Sequence, residues 1–293
     1  MAEPGTLGFV GLGVMGEPMC RNIARGSGRR MLACDLNPAP LQRLAAQGVV
    51  AADLAGIAGQ AEIVFLSLPS GREVESVCRA LLPAMRQGQT VVDLSTAPVE
   101  LARALAQAFA AKGVDFADAP VARTREAAEQ GTLSMMVGAA DEVFARIRPL
   151  LAHCASDITH CGGVGAGQMA KILNNMVLFQ TVVALAEALA LAHSAGVDGA
   201  AMFDTLAKGS ADSFALRSHG MKAVLPGVFP QRAFSTRYAL KDLSYALELA
   251  RRNGVRLAGA ETVERYLQAA IAGGDGDAYW PVIARYVDKE KTR

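Results

Sequence analysis

Three groups of residues in this 293-residue chain have the types and spacing to do chemistry. The first is Gly11-Leu12-Gly13-Val14-Met15-Gly16, a G-x-G-x-x-G turn. Its first glycine permits a tight turn, its second lets the backbone approach a pyrophosphate, and its third lets a helix pack closely on a strand. Asp35 follows Gly16 by 19 residues, where a carboxylate accepts hydrogen bonds from a ribose. A solvated strand-end Asp would look the same in isolation. Leu36-Asn37-Pro38 holds no basic residue, and a carboxylate repels a 2′-phosphate. The expected cofactor is therefore NAD, with NADP disfavoured.

The second group is Lys171, Asn174, Asn175 and Leu178, which share one helix face at spacings i, i+3, i+4 and i+7. Polar groups at the start of an otherwise apolar helix are costly unless they line a cavity. A lysine beside a substrate oxygen can serve as general acid or base. A lysine snorkelling to solvent at a helix start fits the same pattern. The third group, Arg123 and Thr124, follows the strand that ends at Asp118 and opens a loop running to Leu133. Ligands of open α/β sheets bind beyond the carboxyl ends of the strands. A guanidinium fork there suits a carboxylate, sulfonate or phosphate, and a solvent-facing loop arginine is the plainer reading.

Such residues need elements to hold them. Apolar runs predict strands over 7–10, 31–34, 63–68, 90–94, 115–118 and 134–137. Helical patterns fall between them, over 15–25, 40–47, 74–85, 99–111 and 141–151. This alternation predicts an α/β fold, a doubly wound and mainly parallel sheet with helices on both faces. It stops near residue 164, and everything after reads as helix, opening with one over 165–195. Two domains follow: a dinucleotide-binding domain over 1–164 and an all-α domain over 165–293, opened by a long interdomain helix.

Composition excludes several classes. Apolar residues make up 52%, too many for a disordered chain. With 29 basic and 28 acidic residues and no like-charge run, nothing suggests a nucleic-acid footprint. The five cysteines are odd in number and form no C-x-x-C pair, and no leader-like stretch opens the chain. Reduced thiols in the cytoplasm are expected. His153-Cys154 and His160-Cys161 match no common zinc spacing, so no metal is expected. Residues 176–192 carry one charge, Glu187, and reach only the short limit of a membrane span. A buried helix is expected there instead.

Further signatures carry a resemblance. Together with the glycine turn, Asp-Leu-Ser-Thr at 93–96, Asp-Ala-Pro-Val at 118–121, Gly-Thr-Leu at 131–133, Gly-x-Gly-x-x-x-Lys-x-x-x-Asn at 165–175 and Lys-Asp-Leu at 241–243 resemble the β-hydroxyacid dehydrogenases. That family includes 3-hydroxyisobutyrate dehydrogenase, tartronate semialdehyde reductase and sulfolactaldehyde reductase. The resemblance spans nearly the whole chain. It implies a Rossmann domain, an all-helical second domain and an active site in the cleft between them. It also implies Lys171 as the catalytic residue with Asn175 beside it, and Leu68, Pro69, Thr96 and Lys241 on the cofactor. Arg123, Thr124 and Asn174 would orient the acidic end of a small hydroxy acid or its semialdehyde. Relatives are often oligomers, so a homodimer or homotetramer is expected.

One departure stands out. Where many members carry Ser-Gly-Gly, this chain has Ala122-Arg123-Thr124. The arginine resembles the sulfolactaldehyde reductase branch, but Leu178 replaces the hydroxyl residue found there, so carboxylate and sulfonate both stay open. Imine reductases and non-catalytic dinucleotide modules resemble the same fold. They usually lack the lysine that this chain keeps.

Overall fold

The computed structural model describes residues 5–231 and 233–287. The chain forms two compact units that divide between Lys171 and Ile172.

The first unit begins with β1 (Leu7–Val10), α1 (Gly16–Ser27), β2 (Met31–Cys34), α2 (Pro38–Ala45), β3 (Val49–Ala51) and α3 (Leu54–Gln60). It continues with β4 (Ile63–Leu66), α4 (Gly71–Leu81), β5 (Thr90–Asp93), α5 (Val99–Ala110) and β6 (Asp115–Asp118). β7 (Val121–Ala122), α6 (Arg125–Gln130), β8 (Leu133–Gly138), α7 (Asp141–Leu151) and β9 (Ala155–Gly162) complete it. The nine strands form one sheet in the order β3-β2-β1-β4-β5-β6-β8-β7, with β9 beside β8. The six strands from β3 to β6 are parallel. β8 runs antiparallel to β6 and β7, and β9 parallel to β8. The order reverses between β1 and β4, the switch point where such sheets bind ligands.

Both faces of the sheet are covered at its centre, which explains why β1, β2 and β4 read as continuous apolar runs. Leu7, Phe9, Phe65 and Val92 face Met19 and Ile23 of α1 and Ile147 of α7. Val10, Val64, Leu66 and Val91 face Ile57, Val74 and Phe109 of α3, α4 and α5. Each of these large side chains contributes about 1.5–3 kcal/mol by leaving water.

The structure corrects the sequence reading at several elements. The segment from Asp118 to Leu133 is no loop: it holds β7 and α6. Thr124 caps α6 by accepting from Ala127 N at 3.3 Å, and Gly131 ends it at φ +71°. β3, α3 and β9 are additional elements. Asp53 starts α3 by accepting from Gly56 N at 2.7 Å. The third apolar run leaves the ladder after Leu66.

The chain continues into α8 (Ala166–Ser194), 29 residues, which crosses from the first unit into the second. α9 (Gly199–Leu206), α10 (Thr236–Arg252), α11 (Ala258–Ala272) and α12 (Ala284–Val287) follow, with a π-helix at Leu216–Val224 and a short 3-10 turn at Trp280–Ile283. Their core joins Phe179, Phe203, Leu243, Leu267 and Trp280. The π-helix is held to the 3-10 turn by His219, whose Nδ1 lies 2.5 Å from the Tyr279 hydroxyl. Burial pushes the His219 pKa down to about 4, so the ring is neutral at pH 7. By length and composition α8 could cross a membrane, but Phe179, Val182, Leu185 and Ala186 along it are core residues.

Candidate functional site

The glycine turn leaves β1 at the switch point. Gly11 adopts φ +92°, and a Cβ there would collide with Ser67 O. A Cβ on Gly16 would meet Gly11 O, so this glycine lets α1 begin tight against the turn. Gly13 differs: it is exposed, and nothing lies within 4 Å of its missing Cβ. Backbone presented to open space in this way suits a close-lying pyrophosphate. α1 has no side-chain N-cap, as at helix starts that receive anions. Asp35, at the end of β2, braces the turn. Its Oδ2 accepts from Leu12 N, and its Oδ1 accepts from Asn37 N at 2.7 Å. Each carboxylate oxygen keeps accepting capacity for a ribose hydroxyl. These residues fit a dinucleotide.

Gly13 and Gly16 should therefore respond oppositely to alanine. Gly16→Ala is expected to lose about 2 kcal/mol or more of stability, because the Cβ meets backbone. Gly13→Ala should melt within about 0.5 kcal/mol of the parent yet bind NAD at least roughly tenfold more weakly. Denaturation and calorimetry check both, and an unchanged NAD affinity in Gly13→Ala would contradict the placement.

A buried polar network joins the loops after β4, β5 and β6 to the start of α8. Asp118 is fully buried, and its carboxylate accepts from Gly165 N at 2.6 Å and Gln168 N at 2.7 Å. Burial pushes its pKa up, against the backbone N–H groups that favour the charged form. Gln168, also fully buried, accepts from Ala97 N at 3.0 Å and donates to Ser95 O at 2.7 Å. Ser95 Oγ in turn accepts from Leu68 N at 2.9 Å. Leu68 and Thr96 thus sit on loops tied to the same helix turn, and Lys171 follows Gln168 by three residues. Lys171 is only 9% exposed. Pro69 is exposed beside Leu68. The sequence reading gave Asp118, Ser95 and Gln168 no role. The aspartate that ends β6, directly before Ala-Pro, is the available signal.

In the second unit α8 carries Asn174 and Asn175. Asn174 Nδ2 donates to Asn175 Oδ1 at 3.2 Å, and Asn175 Nδ2 to Asp242 Oδ2 at 2.8 Å. Asp242 is buried and pairs through Oδ1 with Lys241 Nζ at 3.1 Å. The Lys241 ammonium also lies over the rings of Tyr238 and Tyr245, 5.3 and 5.6 Å from their centroids. Asp242 thus fixes both residues singled out nearby, a role the sequence reading did not assign.

Arg123 is engaged within the first unit. Its guanidinium donates to Thr132 O at 2.6 Å, Ser156 Oγ at 2.8 Å and Asp157 Oδ2 at 2.6 Å. Its backbone φ is +87°, the only positive value at a non-glycine among the described residues. Arg123 thus keeps a conformation that glycine favours, at a cost of about 1–2 kcal/mol. Thr124 beside it is the cap of α6. Among the described residues no group of three or more His, Cys, Asp or Glu could hold a metal ion.

Comparison with known proteins bears on this arrangement. Residues 6–163 match the model of the NAD binding domain of 6-phosphogluconate dehydrogenase. Residues 165–286 match that of the NAD-binding domain of NADP-dependent 3-hydroxyisobutyrate dehydrogenase. The chain is 35% identical over 274 residues to 2-(hydroxymethyl)glutarate dehydrogenase of Eubacterium barkeri, covering 92% of this chain and 90% of that one. It is 38% identical over 263 residues to 3-hydroxyisobutyrate dehydrogenase of Pseudomonas aeruginosa, covering 88% and 86%. The solved Mycobacterium tuberculosis 3-hydroxyisobutyrate dehydrogenase with L-serine superposes with a TM-score of 0.89 at 29% identity, over 97% of this chain and 99% of that one.

Proposed function

The chain belongs to the β-hydroxyacid dehydrogenase family, and from that premise we propose that it interconverts a small anionic 3-hydroxy acid and its semialdehyde with NAD, using Lys171 as general acid and base. The observation that carries this reading is the buried Lys171, one turn beyond the Asp118–Gln168 network that ties α8 to the Leu68 and Thr96 loops. Bound NAD supplies hydride transfer. In oxidation the Lys171 amine takes the alcohol proton, and in reduction its ammonium returns a proton to the carbonyl oxygen. Asn174 and Asn175 follow on the same helix face and orient the substrate, with Asn175 itself held by Asp242. Relatives named for a hydroxymethyl dicarboxylic acid and for 3-hydroxyisobutyrate support the substrate class. The test is cofactor reduction against a panel of small 3-hydroxy acids, serine and dihydroxypropane sulfonate. Turnover of none of them would overturn the reading.

NAD is preferred to NADP, because Asp35 accepts from a ribose hydroxyl and repels a phosphate. The ratio of kcat/KM for the two cofactors should favour NAD by about tenfold or more, and a ratio favouring NADP would sink the assignment.

Arg123 grips the acidic group of the substrate, with Thr124 beside it. Its positive φ supports this, since strain at a non-glycine residue gathers at functional sites. An incoming anion must compete with Asp157 for the guanidinium. Arg123→Gly relieves the backbone strain and gives up an exposed ion pair worth little. Its stability should be unchanged or raised by up to about 1 kcal/mol, while KM for an anionic substrate rises roughly tenfold. An unchanged KM would remove Arg123 from the site.

Leu173, Val177 and Leu191 are exposed apolar residues on one side of α8, which supports assembly into a homodimer or homotetramer. Five free cysteines suit a reducing compartment, the cytoplasm.

A further inference from the structure

A cavity of about 300 Å³ opens beside the glycine turn. Leu12 and Gly13 of the turn line it, with Asn37, Pro40 and Arg43 on and before α2. Asp35 holds both edges of that wall, through Leu12 N and Asn37 N. A ribose bound by Asp35 would therefore lie beside this cavity, next to Asn37 and α2. In dinucleotide folds an arginine placed nearby accepts a 2′-phosphate. Arg43 is such an arginine, six residues past Asn37, and inspection of 36–38 alone misses it.

Arg43 does not present an unpaired charge, however. Its Nε and one terminal nitrogen donate to the two oxygens of Glu17, both at 2.6 Å. This two-pronged pair takes one edge of the guanidinium and compensates the positive charge that a phosphate would seek. The Arg43 guanidinium holds the Glu17 carboxyl below the usual carboxylate range, so the glutamate stays charged at neutral pH. The other arginine on the cavity, Arg125, stands 3.8 Å from Glu129, which Arg21 also holds.

Resting on the NAD reading and deepening it, we infer that Glu17 is a specificity residue: it withholds Arg43 from a 2′-phosphate, adding to the repulsion by Asp35. Two carboxylates then discriminate against NADP by different means. Asp35 repels the phosphate, and Glu17 compensates the charge of the cation that would receive it. Glu17→Gln keeps the side-chain shape but removes the charge that captures Arg43.

The test is calorimetric and needs no turnover. Adenosine 5′-monophosphate and adenosine 2′,5′-bisphosphate are titrated at fixed ionic strength into the full chain, Glu17→Gln, and Glu17→Gln with Arg43→Ala. In Glu17→Gln the bisphosphate should bind about threefold to fivefold tighter than to the parent, with the monophosphate unchanged. Adding Arg43→Ala should abolish that gain. An unchanged bisphosphate affinity with intact monophosphate binding overturns the inference alone. A gain that survives Arg43→Ala overturns the assignment to Arg43. A parent chain that binds neither nucleotide overturns the inference together with the dinucleotide site itself.

Discussion

Replacing Lys171 with alanine should lower kcat by about 100-fold or more while NAD affinity stays within about twofold. The expectation follows from where the lysine sits. It lies in the second turn of α8 and is 9% exposed, on a helix whose first turn is anchored by Asp118 and Gln168 rather than by Lys171. Alanine is the best helix former, so the change leaves α8 intact. The loss belongs in kcat, because in the proposed role the lysine acts on a proton that moves in the transition state. A variant that keeps more than about half the parent rate at saturating substrate, with chemistry rate-limiting, would remove Lys171 from its role.

Asp118→Ala should lower unfolding free energy by about 2–4 kcal/mol, the scale for stranding two buried N–H donors at a helix start. The carboxylate accepts from Gly165 N and Gln168 N with no exposure to water that could replace it. Close neighbours add to the cost: a Cβ at Gly138 or Gly167 would run into the Asp118 side chain, so the site is built around it. Asp118→Asn keeps one acceptor but turns an amide nitrogen towards an N–H, and should fall between parent and alanine variant. Urea unfolding reads both. A loss below about 0.5 kcal/mol for the alanine variant would show that the helix start does not depend on this carboxylate.

How much of this was legible in the sequence follows from the range of each interaction. The glycine turn and Asp35 were legible because tight turns and strand ends are set by local residue type. β1, β4 and β5 were legible because both faces of the sheet are covered. β9 was not, because Ala155–Gly162 mixes Ser, Asp, Thr and His and is fixed by pairing with β8 rather than by its own pattern. α6 had a readable start and stop in Thr124 and Gly131, yet at six residues it is too short for a period to appear.

The site divides in the same way. Lys171, Asn174 and Asn175 could be grouped from helical spacing alone. Their supports could not, since Gln168 reaches Ser95 and Ala97 across more than 70 residues, and Asn175 reaches Asp242 across 67. Arg123 was noticed as a departure, but its partner Asp157 lies 34 residues on, in the unrecognised β9. Arg43 was overlooked because it enters the cavity wall from inside α2.

The most direct measurement follows a label. A small 3-hydroxy acid deuterated at its carbinol carbon is mixed with NAD and either the parent chain or Lys171→Ala, and deuterium in the reduced cofactor is read by mass spectrometry. With NAD bound equally by both proteins, the account expects label to appear rapidly with the parent and about 100-fold or more slowly with the variant. Bound NAD that acquires no deuterium from any acid tried, or equal transfer by both proteins, would contradict it.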